Sequence, residues 1–452
     1  MKHIFREHTA LFITVVRWVV LATGIGMIVG VAVWFFLTVL TGATTLAHRF
    51  SYYYLLLPFA LFVSALIIRW LAPDAAGHGT EKVIEAVHRN SGRIKAAVVP
   101  VKLVATWITL AVGGSAGKEG PCAQIGGGLA STFASLLRFD DFDRRKLVIC
   151  GISAGFASVF GTPIAGAIFG VEVLFAGSIM YDVLLPSFVA GITSFHISSV
   201  MGVHYFYHPI NFVPVFSEAF FAKIVLAGLV FGLCSSVLIE TLHYGEVLSA
   251  RLHVWPPLKG LIGGAALILL ALSFSDSYLG LGLNTIQSLL QGGNIAWYGC
   301  LLKSVATSIT LNFGGSGGIV TPIFFVGSAA GTAFANILGL DTGTFAAVGM
   351  VALLAGAANT PIAASILSVE MFGPQIAPYA TVACVISFLM TGHRSVYPSQ
   401  VLAMSKSKLI QTEVGKEMHQ VELLIKPSNG RISKLARRFL DYLTHRSAGD
   451  EK

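Results

Sequence analysis

The chain has 452 residues, of which 55% are hydrophobic and 12% are charged. About a quarter of the residues of a typical water-soluble domain are charged, so this composition excludes a soluble globular protein and predicts an integral membrane protein. Much of the formal net charge of +8 lies at Lys2, at Arg6 and between residues 406 and 446. Basic residues that flank apolar segments predict that both termini are cytoplasmic. We expect this charge to contact acidic membrane lipids and not nucleic acid.

Apolar segments that approach or exceed the ~20 residues of a membrane-spanning helix recur along almost the whole chain. The candidates are residues 11–40, 52–71, 95–112, 121–137, 147–171, 183–203, 219–240, 257–274, 296–313, 321–339, 344–369 and 376–391. Several are short or interrupted by Gly or Pro, which predicts tilted and broken helices. The 48 glycines favour close helix packing. The first segment is too long for a signal peptide and is interpreted as a mature span.

A carboxylate lies between glycines in the loop GGSAGKEGP at residues 113–121. Apolar segments precede and follow this loop, and a charge in such surroundings is costly and indicates a functional site. Pro121 suits the first turn of a helix, and the free N–H groups of a helix N-terminus attract anions. We therefore interpret Glu119 as the opening of a broken helix. The alternative is a solvated loop glutamate between two spans.

Two segments of the first half recur in the same order later in the chain. The loop at 113–121 returns as GGSGGIVTP at residues 314–322. The segment 151–172, which contains T-P-I-A and ends in V-E, returns as residues 349–370 with the same internal spacing. Glycine-rich composition alone does not explain two ordered matches, so we infer an internal repeat.

The repeat predicts two related halves, at about 1–204 and 219–404, within one membrane domain at 1–404. Membrane transporters commonly pair such repeats across a site at the bilayer midplane, where the N-termini of half-helices meet. We therefore expect the loop of Glu119 to face the loop of Val320. A carboxylate in one copy and a valine in the other predict a gate on one side of a binding site.

The composition becomes polar and charged after Met404, so residues 405–452 are predicted to form a short basic cytoplasmic tail. This tail is shorter than a typical soluble domain. Four apolar side chains share one helical face, which favours a basic amphipathic helix on the membrane surface; they are Ile432, Leu435, Phe439 and Leu443. A frayed tail is the alternative.

These motifs resemble the CLC family of chloride channels and anion/proton exchangers, in its bacterial type without cytoplasmic CBS domains. G-K-E-G-P at 117–121 matches the family's G-(K/R)-E-G-P. G-I-V-T-P at 318–322 lies where the family has G-I-F-A-P, and G-H-G-T-E at 77–81 lies where it has G-S-G-I-P. P-V-K at 100–102 resembles the P-V-K that precedes the glutamate loop. The resemblance covers most of residues 11–404.

The resemblance implies an all-α polytopic membrane protein with many tilted and broken helices in two inverted repeats. It also implies a homodimer with one pore per subunit, surrounded by the lipids of a bacterial inner (plasma) membrane. Glu119 would be the gate, occupying an anion site when deprotonated and leaving it when protonated. The implied anion-binding residues are His78, Gly79, Gly120, Gly318, Ile319, Val320, Thr321 and Tyr397.

Two departures from the family pattern concern the anion site itself. His78 replaces the family's serine, and an imidazole can donate a hydrogen bond or carry a proton. His78 and Glu119 are therefore candidates for a proton relay. The alternative is that His78 turns aside and the backbone N–H groups bind the anion. Val320 and Thr321 replace phenylalanine and alanine, which trims an apolar constriction and adds a hydroxyl.

A third departure concerns the inner end of the proton path. Val173 occupies the position of the exchangers' internal proton-transfer glutamate, and valine cannot carry a proton. Glu172 is one residue earlier and faces another way on a helix. The favoured interpretation of Glu172 is a structural one, either an ion pair or a hydrogen-bonded buried acid.

The leading functional hypothesis is a CLC-type anion transport protein that carries chloride and is gated by a glutamate. A fluoride/proton antiporter and a passive chloride channel are the alternatives within the family, so protons are an open second partner. A cation-coupled organic-substrate transporter is the alternative outside it, and would want paired intramembrane carboxylates. We predict that the protein is not an enzyme and that it has no cofactor and no metal site. The metal-binding motif H-E-x-x-H is absent, and the five cysteines lack the spacing of a metal site.

Overall fold

The computed structural model describes residues 2–205, 207–209, 217–421 and 424–425, and this part of the chain is mainly helical. The helices are α1 (Lys2–Ala47), α2 (Leu57–Leu71), α3 (Gly79–Arg89), α4 (Val98–Ala111), α5 (Glu119–Leu136), α6 (Asp141–Phe160), α7 (Pro163–Glu172), α8 (Tyr181–Val200), α9 (Glu218–Arg251), α10 (Pro256–Ser273), α11 (Leu283–Leu290), α12 (Gly299–Asn312), α13 (Val320–Leu338), α14 (Thr342–Ala358), α15 (Pro361–Phe372) and α16 (Ala377–Met390). The predicted all-α architecture is confirmed.

Four two-residue strands supplement the helices in the described residues. The strand β1 (Phe175–Ala176) pairs in parallel with β2 (Val401–Leu402). The strand β3 (Ile410–Gln411) pairs in antiparallel with β4 (Leu424–Ile425). The first pair joins the segment after α7, in the first half of the chain, to the segment after α16, in the second half.

The helices differ widely in length, as the interrupted apolar segments predict. Six helical segments are at least 18 residues long and apolar enough to cross a membrane: His3–Ala47, Tyr53–Leu71, Tyr181–Val200, Glu218–Arg251, Pro256–Ser273 and Val320–Leu338. Other apolar helices have only 10–17 residues, among them α4, α7, α14 and α15. This mixture is typical of a multi-pass membrane protein whose shorter helices end inside the protein.

Two predicted single spans are each two helices, so those two predictions are wrong. The candidate at 147–171 contains a break between α6 and α7, and the candidate at 344–369 contains one between α14 and α15. Gly161 (φ 74°) and Asn359 (φ 56°) end the first helices in the left-handed conformation. The next helix begins with a proline in both cases. A proline removes a helical hydrogen bond and clashes with the preceding turn, so neither helix can continue.

Within each half, glycines bring two neighbouring helices into backbone contact, and the two pairs of helices are equivalent in the repeat. A Cβ atom on Gly126 of α5 would lie 2.1 Å from the carbonyl oxygen of Gly151 in α6. A Cβ atom on Gly327 of α13 would lie 2.4 Å from the carbonyl oxygen of Gly349 in α14. Because no side chain fits at these distances, both crossings require glycine, as the composition predicted.

The two glycine-rich loops are held by reciprocal hydrogen bonds between the halves. The backbone N–H of Ser115 donates to Oγ1 of Thr310 over 3.0 Å. The backbone N–H of Ser316 donates to Oγ1 of Thr109, also over 3.0 Å. Each half therefore satisfies a buried loop N–H group of the other, with the two-fold relation expected of a repeat.

The segment 405–421 packs on the helical body. Nζ of Lys406 donates to Oδ1 of Asn359 (2.6 Å), and Arg89 forms a two-pronged ion pair with Glu417. The guanidinium lowers the pKa of the Glu417 carboxyl, so this pair stays charged at neutral pH. The predicted amphipathic helix, which starts near Ile432, lies outside the described residues.

Candidate functional site

Three helix N-termini and one loop from distant parts of the chain meet deep inside the molecule. The helices α3, α5 and α13 begin at Gly79, Glu119 and Val320, and in none of them does the side chain of the N-cap residue bind the first turn. The loop after α16 adds Tyr397, which is fully buried. Uncapped helix N-termini present free N–H groups and partial positive charge. Their convergence favours a bound anion.

The two glycine-rich loops pair directly with each other. The N–H of Gly117 donates to the carbonyl of Gly318 over 2.7 Å, and the N–H of Gly318 donates to the carbonyl of Gly117 over 2.6 Å. This antiparallel bridge joins residues far apart in the chain. The prediction that the two loops face one another is confirmed.

The carboxylate of Glu119 lies against the N-terminus of α13. Its side chain is buried, and Oε2 accepts a hydrogen bond from the backbone N–H of Thr321 over 3.2 Å. Oε1 accepts a hydrogen bond from the Thr321 hydroxyl. The carboxylate therefore takes the place that an anion would occupy at this helix end. The solvated-loop alternative for Glu119 is wrong, because the side chain is buried and hydrogen-bonded to Thr321.

Glycines are required where these chain segments approach. A Cβ atom on Gly79 would lie 2.3 Å from the carbonyl oxygen of Gly120, and one on Gly318 would lie 2.6 Å from the nitrogen of Gly120. A Cβ atom on Gly117 would lie 2.4 Å from Oε2 of Glu119. Any larger residue would displace either the backbone or the carboxylate.

His78 and Tyr397 lie together on another side of the paired loops. Their ring centroids are 5.7 Å apart, and the His78 backbone bridges to Gly317. The Nδ1 atom of His78 and the hydroxyl oxygen of Tyr397 are buried without a hydrogen-bond partner among the described residues. Because buried polar atoms are normally paired, this pair of rings indicates a ligand that the protein itself does not supply.

A cavity of about 280 Å³ reaches His78 and Ile319 from one face of the molecule. Its wall includes His243, His393 and Met418. His78 follows the C-terminal end of α2 in the chain, and Ile319 lies in the second glycine-rich loop, so the cavity opens the site to that face. Glu119 does not line it.

Comparison with known proteins identifies the chain. The family model described as "Voltage gated chloride channel" matches residues 59–392. The chain belongs to the CLC family. A relative from Pseudomonas syringae pv. tomato, named chloride/fluoride channel protein, is 37% identical over 400 residues, which are 87% of this chain and 88% of the relative. This CLC protein is therefore an integral, multi-pass anion transport protein.

Solved structures agree with this assignment. A crystal structure of a CLC-type fluoride/proton antiporter superposes with a TM-score of 0.81 at 29% identity, covering 85% of this chain and 98% of the other. A slow cyanobacterial Cl⁻/H⁺ antiporter superposes with a TM-score of 0.72 at 22% identity, covering 83% and 94%. At that lower identity the likeness shows the fold alone.

Glu172 lies in a structural contact of this CLC fold. Its two carboxylate oxygens accept hydrogen bonds from the N–H groups of Ile362 (3.0 Å) and Ala363 (2.8 Å), at the start of α15. Glu370 makes the mirror contact, since it accepts from Ile164 (3.0 Å) and Ala165 (2.8 Å) at the start of α7. The prediction of a hydrogen-bonded buried acid at Glu172 is confirmed, whereas the ion-pair alternative is wrong, because the partners of Glu172 in the described residues are backbone N–H groups.

The contact that positions Tyr397 was not predicted from the sequence. Oε1 of Glu81, in the first turn of α3, accepts hydrogen bonds from both the backbone N–H (3.0 Å) and the hydroxyl of Ser399. This contact ties the tyrosine loop to the N-terminus of α3. Only the position of Glu81 three residues after His78 could have hinted at it, because first-turn carboxylates often cap nearby N–H groups.

Proposed function

We propose that this CLC protein exchanges fluoride for protons. The observation that carries the proposal is the pair of donors, N–H and O–H, that Thr321 presents to the carboxylate of Glu119. Fluoride is small and strongly hydrated, so a site must offer close, strong donors to replace its water. A hydroxyl beside a backbone N–H meets that need better than the alanine of the common family motif.

The proposed cycle follows from the position of Glu119. When deprotonated, the carboxylate occupies the N-terminus of α13 and closes the path. When protonated, it loses its attraction for the helix end and leaves, so that an anion can enter. The N–H groups of Gly120, Ile319, Val320 and Thr321 would then bind the anion, together with Gly318 and the hydroxyls of Thr321 and Tyr397.

His78 is proposed as the second proton carrier, with Gly79 as its backbone partner in the anion site. Val173 leaves the usual inner position without a titratable group. The backbone carbonyl of Val173 accepts a hydrogen bond from the side-chain amide of Gln400 (2.9 Å), and neither of these groups titrates. The unpartnered Nδ1 of His78 and its place on the open cavity support this role.

Chloride is the second candidate substrate. The relative that is 37% identical is named for both chloride and fluoride. We also propose that the protein is a homodimer in a bacterial plasma membrane, with residues 1–404 as its membrane domain and 405–452 as a cytoplasmic tail. Arg17 of α1 pairs with Asp143, and Arg93 and Arg144 pair with the neighbouring Asp141. Basic residues therefore cluster around the N-terminal part of α1, which supports cytoplasmic termini.

Purified protein in liposomes tests the proposed exchange. Fluoride efflux should be much faster than chloride efflux in parallel assays. With equal fluoride on both sides and an imposed pH gradient, the reversal potential should be displaced from zero. A potential at zero volts would establish a passive channel, and equal or faster chloride efflux would establish chloride as the substrate.

Thr321→Val should reduce selectivity for fluoride. The substitution keeps the volume of the side chain and removes its hydroxyl donor, and a hydrogen bond to a charged group contributes ~1.5–3 kcal/mol. We therefore expect the ratio of fluoride to chloride efflux to fall by about ten-fold. Thr321→Ser keeps the hydroxyl and is the matched control. An unchanged ratio in Thr321→Val would reject the role of the hydroxyl.

His78→Ala should change how transport depends on pH at the face that carries the 280 Å³ cavity. Removing the imidazole takes away the only titratable side chain that we assign to that end of the path. The measurement is fluoride efflux with pH varied on one side at a time. His243→Ala, which changes a histidine further out on the same cavity, is the control. Identical profiles for both variants would exclude His78 as a carrier.

A further inference from the structure

Buried polar atoms without a hydrogen-bond partner cluster at the start of α3. Among the described residues they include Nδ1 of His78, Oε2 of Glu81 and the hydroxyl oxygen of Tyr397. The proposed cycle uses His78 and Tyr397, but it gives no role to the carboxyl of Glu81. A buried carboxylate oxygen without a donor is costly, so this side chain calls for an explanation.

The two oxygens of the Glu81 carboxyl have different surroundings. Oε1 accepts hydrogen bonds from the backbone N–H (3.0 Å) and the hydroxyl of Ser399, whereas Oε2 accepts none in the described part of the chain. In contrast, both oxygens of Glu172 accept from N–H groups, and both oxygens of Glu119 accept from Thr321. A proton on Oε2 would remove the charge from the carboxyl, and a neutral group is much less costly to bury.

The charged groups around Glu81 lie mainly on its own helix. The helix α3 is not one of the segments apolar enough to span a membrane. Burial is the main cause that raises the pKa of the Glu81 carboxyl to about 7, while the hydrogen bonds from Ser399 and the charge of Lys82 act against it. Glu85 raises the pKa further, and Arg89 also interacts with Glu81. The carboxyl therefore gains a proton as the pH falls through neutrality.

Tyr397 places this carboxyl within electrostatic range of the anion site. Burial and the charges of Glu81 and Glu119 raise the pKa of the Tyr397 hydroxyl, so both carboxylates act on the same group. The ring of His78 is 5.7 Å from that of Tyr397. Glu81 also lies in the first turn of α3, which begins at Gly79. A negative charge in that turn offsets the positive potential with which the helix end attracts an anion.

We propose that Glu81 is a proton-binding site linked to the anion site, so that the protein binds its anion more tightly when Glu81 carries a proton. The proton comes from water, forms an O–H bond at Oε2 and removes one negative charge. Because linkage is reciprocal, a bound anion favours the protonated form of Glu81 to the same extent. This proton stays on Glu81 and takes no part in the exchange that we assign to Glu119 and His78. The inference rests on the proposed binding of an anion beside Tyr397.

Equilibrium anion binding measured as a function of pH tests this linkage. The background is Glu119→Gln, because the gate carboxylate then no longer competes with the anion. In this background the dissociation constants for fluoride and chloride, measured by titration calorimetry, should rise about ten-fold as the pH increases through 7. Adding Glu81→Gln should hold both constants near their low-pH values and reduce the rise to under about two-fold. Glutamine keeps an oxygen that can accept from Ser399.

Glu85→Gln is the matched control in the same background. It removes a carboxylate one helical turn further along α3, where Glu85 pairs with Lys82 (2.8 Å) and Arg89 (3.2 Å), and it should keep the ten-fold rise. Ser399→Ala provides an independent test, because it removes a donor from the charged form of Glu81. The midpoint of the pH dependence should then move to higher pH. A contact that only holds the loop in place would leave the midpoint unchanged.

The possible results separate Glu81 from its neighbours. A rise that persists after Glu81→Gln, or that is lost equally after Glu85→Gln, would overturn the linkage. A rise that disappears only after His78→Ala would assign the proton to His78 instead. If Glu119→Gln bound neither anion, the proposed anion site would be rejected together with the linkage. A wild-type reversal potential of zero would reject proton exchange alone, because the linkage is measured at equilibrium.

Discussion

Glu119→Gln is expected to abolish proton-coupled exchange. Glutamine cannot bind or release a proton in this pH range. It also lacks the negative charge that holds the wild-type carboxylate at the N-terminus of α13. Proton movement should fall to the background of empty liposomes, and anion flux should lose its dependence on pH. Simultaneous recording of anion efflux and of pH change inside the liposomes measures both quantities.

The matched control for this experiment is Glu172→Gln. It makes the same chemical change at a second buried carboxylate that binds a helix N-terminus, but at a contact between α7 and α15. Glu172→Gln should keep the coupling of protons to anions. If Glu119→Gln kept the wild-type pH profile, Glu119 would not be the gate, and the pairing of the two loops would be structural only.

Glu172→Ala is expected to destabilise the protein strongly. The substitution leaves the buried N–H of Ala363 and the partly buried N–H of Ile362 without a protein acceptor, and a buried donor left unpaired costs ~1–3 kcal/mol. We expect a loss of about 2–5 kcal/mol in the free energy of unfolding. In detergent this should lower the apparent unfolding temperature by several degrees.

The repeat supplies the comparison for this prediction. Glu370→Ala removes the mirror contact to Ile164 and Ala165, and should destabilise the protein in the same direction. Glu172→Gln keeps one acceptor oxygen and should be milder. Wild-type stability in Glu172→Ala would mean that water replaces the carboxylate at the start of α15.

Part of the site was predictable because short sequence motifs mark it. The glycine-rich loops, the proline at the start of α5 and the repeat of the motif at 314–322 can all be recognised in short stretches of sequence. Since paired repeats bring their broken helices together, the meeting of the two loops followed from the pattern. The two split spans were missed because apolar composition continues across a helix break, although Pro163 and Pro361 marked both positions.

The contacts that position the site were not predictable, because they join residues far apart in the chain. Thr321 binds Glu119 across 202 positions, and Glu172 binds Ile362 across 190. A carboxylate in an apolar segment must find donors, but the sequence does not say which helix end supplies them.

The sequence by itself determined that this is an integral membrane protein, that it is built from a repeat, and that Glu119 stands at a break between helices. Composition, periodic apolar segments and glycine spacing carry that information residue by residue. Only the tertiary structure decided that the Glu119 carboxylate lies on the N-terminus of α13 and that Glu172 accepts hydrogen bonds from the start of α15. These outcomes depend on which distant groups packing brings within hydrogen-bond distance, and burial then makes each pairing obligatory.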